Sequence, residues 1–185
     1  MTFSKEIIKE IIGHFLATLV WLIFVSLLKD LSRNLIYLWL GAFAGTFILD
    51  IDHLIYWFWF RPEKQDSLLA KMLWRKRDFS GLLALMARYH DTHTRLIFHT
   101  ALFQVILLIV SLYIFTSGGS YFGSGLVAAL NIHLLKDVAE EYLRKRYDHL
   151  NNWLFWQIGK KVSPEAQKIY LLSVAFVFVL LSLLI

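Results

Sequence analysis

A chain of 185 residues without cysteine excludes disulfides and thiolate metal sites, so any metal must be bound through nitrogen and oxygen. With 58% hydrophobic residues, 7 Trp and 15 Phe against 18% charged residues, the composition excludes an ordinary soluble domain. The net charge of +5 suits an anionic membrane surface better than nucleic acid, and no nucleic-acid partner is expected.

In chain order, apolar segments run over residues 5–28, 35–60, 96–115, 121–143 and 168–185. Each approaches or exceeds the roughly 20 residues of a membrane-spanning helix, the last only marginally. The first carries Lys5, Glu6, Lys9 and Glu10 ahead of a long apolar run and lacks a small-residue cleavage site, so it reads as a retained helix. Between the spans, SLLAKMLWRKRD at 67–78 and LNNWLFWQIGKK at 150–161 pair apolar or aromatic residues with a basic end, the pattern of helices lying among headgroups. The expected fold is all-α: one membrane-embedded domain over residues 1–185, with about five transmembrane helices and one or two interfacial amphipathic helices.

Loop charge sets the orientation. Residues 61–95 hold eight Lys/Arg against four Asp/Glu and residues 144–168 hold six against two, whereas 29–34 holds two against one and 116–120 none. The positive-inside rule therefore makes the two long loops cytoplasmic, with the N-terminus inside and the C-terminus outside a cytoplasmic membrane.

Against this frame the polar residues stand out: His14 in the first span, Asp50, Asp52 and His53 in the second, His99 in the third, His133 and Asp137 in the fourth. Counted at ~1.5 Å per residue from the nearest cytoplasmic charge, all lie roughly 6 to 16 Å along their helices from one face. An acidic residue at mid-membrane costs about 2.5 to 3.5 kcal/mol on insertion scales, so the two carboxylates of FILDIDH need compensation, and a divalent cation supplies it. His133 and Asp137 are four apart and project from one helix face, with Glu140 nearly above His133. Asp50 and His53 also share a face, while Asp52 points away from it in a regular helix. Either the helix is irregular at LDIDH or only one carboxylate is a ligand. A pocket of imidazoles and carboxylates without sulfur suits zinc foremost, then manganese or iron. His90 and His93 in RYHDTHTR read as loop or interfacial residues, with His93 near enough to reach the site, and His149 as solvated.

These residues resemble a family, the LexA-regulated, membrane-bound metal-dependent hydrolases, small bacterial and archaeal inner-membrane proteins. Its pattern is an early His, a GxxxPDIDH-like segment, HRGxTHS and SHLLLD; here stand His14, GTFILDIDH at 45–53, TRLIFHT at 94–100 and IHLLKD at 132–137. Order and spacing match along most of the first 140 residues, while Leu49, Thr94, Leu96 and Lys136 depart from the pattern. The resemblance keeps His14, Asp50, Asp52, His99, His133 and Asp137 as metal ligands. It is also distantly similar to the zinc phospholipase C and single-strand nuclease superfamily, and that similarity implies hydrolysis of a phosphoester or ester by a metal-activated water. On this reading Asp52 or Asp50 orients or deprotonates the water, Arg95 grips a phosphate, and the substrate is a membrane lipid or lipid-linked molecule. Transport of a metal ion or proton, and a non-catalytic metal staple between helices, are the competing classes.

Overall fold

The computed structural model describes residues 5–28 and 35–185, all of whose regular elements are helical. The 29–34 loop used in the charge comparison lies outside the described residues. Helix α1 spans Lys5–Leu28, α2 Leu35–Ile48 and α3 Ile51–Ile55, the last running into a π-helical turn at Tyr56–Phe60. Two short helices follow, α4 at Gln65–Arg75 and α5 at Phe79–Tyr89; then α6 (Ala101–Thr116), α7 (Tyr121–Leu143), α8 (Tyr147–Trp153) and α9 (Pro164–Ser182).

Among the described residues, three helical stretches are long and apolar enough to cross a membrane: Ile8–Leu28, Leu35–Phe60 and Pro164–Ser182. The expected third and fourth differ for separate reasons, while the fifth is present as Pro164–Ser182. Helix α6 is shorter than its apolar run because residues 96–100 are not helical. Helix α7 has ample length, but it is wrapped on nearly every side by protein and carries His133, Lys136, Asp137, Glu140 and Glu141, so its hydropathy is diluted. A helix that faces protein rather than lipid has no need of a uniformly apolar surface.

Helix α7 is the axis of the bundle and packs most intimately on α2. The reason is visible in the sequence GAFAG at 41–45 and in Gly125. A Cβ at Gly41 would stand 1.9 Å from the Phe122 carbonyl oxygen, and one at Gly125 would stand 2.0 Å from that of Leu38. Only glycine lets the two backbones approach so closely.

Two apolar cores stack along α7. One gathers α1, α2, α6, α7 and α9 around Leu22, Leu38, Leu134 and Phe178. The other gathers α4, α5, α8 and the π-turn around Trp57, Leu82, Val138 and Trp153. Asp137 falls between Leu134 of the first and Val138 of the second, so the polar residues occupy the seam. Around the first core Val20, Ile109, Tyr113, Ile169 and Phe176 form an exposed apolar belt of the kind a bilayer covers.

Of the two expected interfacial helices, 67–78 is largely α4. The stretch 150–161 is not one helix: α8 ends at Trp153, a short turn follows, and Gly159 is left-handed (φ 70°). Leu150, Trp153, Leu154 and Phe155 drive that ending, since they are buried in the second core rather than spread on a surface. Helix α5, within the stretch read as loop, buries Leu82 and Leu85.

Candidate metal centre

The second span is irregular where its two carboxylates sit. Asp50, Asp52 and His53 each donate a backbone N–H to the residue three before, Phe47, Leu49 and Asp50 respectively. These tighter turns interrupt α2 at Leu49 and Asp50 and restart the chain as α3. No proline is needed, because Leu49 is buried in the first core and pins the break. The interruption rotates Asp50 and Asp52 to different partners, so both alternatives posed by LDIDH hold: the helix is irregular, and of the two carboxylates only Asp50 joins a group of side chains able to hold an ion.

Asp52 is fully buried, and both of its oxygens are engaged. Oδ1 accepts from the Ile97 N–H (3.1 Å), while Oδ2 accepts from the Phe98 and His99 N–H groups (2.6 and 3.3 Å) and lies 3.2 Å from His99 Nδ1. These bonds hold residues 97–99 out of a helix, so His99 precedes α6 rather than lying within it. They also make Asp52 an anchor and orienter of His99; it belongs to neither group of side chains arranged to hold an ion.

Those groups are Asp50, His53, His90 and His99, and His14, His133 and Asp137, the ligand atoms of each lying within 4.8 Å of one another. Either group can hold a metal ion. They adjoin: Asp50 Oδ1 is 3.7 Å from His133 Nε2, and His99 Nε2 is 3.9 Å from Asp137 Oδ2. Five of the residues expected from sequence (His14, Asp50, His99, His133 and Asp137) are thus brought together from α1, the α2–α3 break, the segment before α6, and α7.

In His133 and His14 the outward nitrogen fixes which ring nitrogen carries the proton. His133 Nδ1 donates to the Thr46 carbonyl (2.7 Å), and His14 Nδ1 to the Glu10 carbonyl (3.0 Å). A carbonyl only accepts, so in both rings Nδ1 carries the proton and Nε2 presents a lone pair inward in the neutral state. The close α2–α7 contact is what carries Thr46 to His133. His14 Nε2 faces Asp137 Oδ1 at 2.9 Å, two acceptors that require a proton or a cation between them.

His53 is fixed by a relay from outside the span. Asp66 Oδ2 accepts from Trp57 Nε1 and from His93 Nε2, both at 2.8 Å, and His93 Nδ1 meets His53 Nδ1 at 2.7 Å. Burial pushes the His93 imidazole below its usual range, against the pull of Asp66. Burial also raises the Asp66 carboxyl, but hydrogen bonds from His93 and Trp57 outweigh it and hold the group below the usual carboxylate range. A neutral His93 that donates to Asp66 must accept from His53, which leaves His53 Nε2 bare. The buried Nε2 atoms of His53 and His99 are thus without a hydrogen bond, and His133 Nε2 and Asp137 Oδ2 have no well-aligned partner but face each other at 3.3 Å. Buried polar atoms are rarely left so, and ligating histidines characteristically tie their other nitrogen to a carbonyl or carboxylate. The donor set fits a divalent cation.

Other residues fall differently from the expectation. Arg95 is exposed with a left-handed backbone (φ 60°) and lines a separate surface cavity with Asn151, Lys160 and Lys161. In a helix it would share a face with His99, but the non-helical course of residues 93–100 separates them. Glu140 pairs with Lys136 and Arg144 rather than turning inward, and Lys136 also binds Glu10. His149 is not simply solvated: its Nδ1 is 2.6 Å from Glu141 Oε2 and its ring stacks on Trp153. His90 joins the cluster although its position in RYHDTHTR gave no periodic signal, because α5, which delivers it, was itself read as loop.

The site opens in two directions. A narrow polar cleft of about 20 Å³, bordered by Glu140, Glu141, Arg144 and His149, reaches Asp137. A wider cavity of about 290 Å³ reaches His14, Asp50 and His90 between α1, the α2–α3 break and α5. Comparisons of the chain with family models, with curated proteins and with solved structures return no match.

Proposed function

We propose that the protein is a membrane-bound, metal-dependent hydrolase that cleaves an ester or phosphoester of a lipid or lipid-linked substrate at the cytoplasmic leaflet. The observation that carries this reading is the convergence of bare imidazole nitrogens and carboxylate oxygens on a buried seam that opens both to polar surroundings and to an apolar cavity. His14, His133 and Asp137 would hold one cation, and His53, His90, His99 and Asp50 a second, with zinc the best match to the donors. A bound divalent cation supplies an acidified water and offsets charge on a phosphoryl oxygen. Asp52 orients His99, and Thr46, Glu10 and the Asp66–His93 pair orient the remaining rings. Asp50, half-buried and lining the wider cavity, would hold the cation through one oxygen and take a proton from water with the other. Hydrolysis itself is the chemistry implied by the resemblance to the LexA-regulated membrane hydrolases.

Five crossings complete the reading. Helix α7, with 23 residues, extends about 34 Å, enough for a hydrocarbon core of about 30 Å. The 16 residues of α6 reach about 24 Å, and the segment anchored on Asp52 completes the crossing. The basic 61–95 and 144–167 loops then face the cytoplasm, which places the metal seam in the inner leaflet.

The test is turnover. Purified protein loaded with zinc or manganese should release headgroup or acyl chain from at least one member of a phospholipid and lipid-phosphate panel, and chelation should abolish release. No turnover across the panel by metal-loaded protein counts against the hydrolase.

A further inference from the structure

The wider cavity is amphiphilic in a regular way. Each of its three walls contributes both polar and apolar residues, and α5 runs from apolar residues at its outer end to His90 at the polar seam. Helix α1 contributes Glu10 and His14 beside Ile11. The second wall places Asp50 among Phe47, Ile51 and Leu54, at i, i+3, i+4 and i+7. The third, α5, presents Leu83, Met86 and Ala87 with the same spacing and ends on His90.

The outer members Ile11, Phe47, Ile51 and Leu83 are each more than 40% exposed, at 44%, 42%, 45% and 47%, so the apolar end opens outward through the belt that faces lipid. Leu54, Met86 and Ala87 are half-buried deeper in. Glu10 and His90 border both this cavity and the polar cleft, so the two are continuous across the metal seam. Its volume of about 290 Å³ is near the lower bound, roughly 300 Å³, of pockets that take small ligands.

We propose that this cavity is a lateral entry groove that holds one hydrocarbon chain of a membrane amphiphile while the polar head lies at the His/Asp cluster. The inference rests on the hydrolase reading for the fate of that head and on the cavity alone for the chain. A groove whose apolar stripe begins at the ligands and ends in the lipid belt has the polarity gradient of an amphiphile entering sideways from the inner leaflet. Helix α5 is then the outer wall, which accounts for an amphipathic helix that packs on α1 as well as on α4.

The experiment uses full-length protein in vesicles containing an anionic phospholipid with a photoactivatable diazirine midway along one acyl chain. Cross-links are mapped by mass spectrometry, and bound metal is measured on the same samples. Labelling should concentrate on Leu54, Met86 and Ala87 over belt residues such as Ile109 and Phe176. Ala87→Trp, and independently Leu83→Trp at the exposed rim, should cut it about tenfold, the effect of excluding roughly two methylene groups, with metal retained. Groove labelling without turnover supports the groove while removing the hydrolase. Uniform belt labelling, unchanged by either tryptophan in metal-loaded protein, overturns the groove even if the lipid is hydrolysed.

Discussion

The Asp52 carboxylate lies 3.2 Å from His99 Nδ1 and accepts the backbone N–H groups of Ile97, Phe98 and His99 with the same two oxygens. One buried side chain thus sets the course of the chain before α6 and the orientation of a ring whose Nε2 faces the polar seam. Asp52→Asn replaces one acceptor oxygen by a donor that opposes those N–H groups. Metal affinity, measured by competition with a chelating dye, should fall by about 10- to 100-fold, the usual cost of losing a group that orients a ligating histidine. Unchanged affinity would mean that His99 does not ligate.

The Asp66–His93–His53 relay predicts a more selective defect. Asp66→Asn should weaken metal binding at the His53, His90, His99 and Asp50 group and leave the His14, His133 and Asp137 group loaded, so bound metal should drop without vanishing. The same pair gives a pH dependence. Because the folded Asp66 pKa is depressed, its contribution to stability is fully present above the ordinary carboxylate value of 3.8 and is lost as pH falls through the lower folded value. Wild-type melting temperature should therefore fall more steeply than that of Asp66→Asn as pH drops below about 4. Parallel curves would show that the relay is not coupled to folding.

The α2–α7 contact should be unforgiving. Gly125→Leu forces a side chain against the Leu38 backbone 2.0 Å from its carbonyl oxygen. The expected cost is on the order of 3 kcal/mol, and it carries the Thr46 carbonyl away from His133, so stability and metal content should fall together. A folded Gly125→Leu protein with full metal content would disconnect the glycine packing from the site.

His90 and Arg95 separate the observed geometry from the sequence expectation. His90→Ala should lower metal content, whereas Arg95→Ala should leave it unchanged, because Arg95 lines a different, solvent-facing cavity. The reverse pattern, read by mass spectrometry, would restore the helical geometry expected for residues 95–99.

Much of the site was legible because membrane helices penalise polar residues, so His14, Asp50, His99, His133 and Asp137 announced themselves by position. The spacing of His133 and Asp137 survived because α7 is regular there. Asp52 was harder, since its role depends on a helix break that no proline signals and that arises from the burial of Leu49 and the capture of three backbone N–H groups from a distant segment. His93 was flagged as within reach of the site and α4 was expected as an interfacial helix, but His90 and Asp66 were obscured because α5 was read as loop and the start of α4 carries no periodic signal for its acidic residue. The close packing of α2 had a signal in GAFAG at 41–45, but its partner, Gly125, is distant in sequence.

The most direct test of the central claim is metal content by mass spectrometry of detergent-purified wild type beside the His133→Ala/Asp137→Ala double variant. The account predicts about one to two stoichiometric zinc, manganese or iron ions in the wild type, consistent with two adjoining donor groups, and loss of at least one in the variant. A wild type that is free of metal and melts identically with and without chelator would contradict it, and would leave the seam as a proton-sharing hydrogen-bond network.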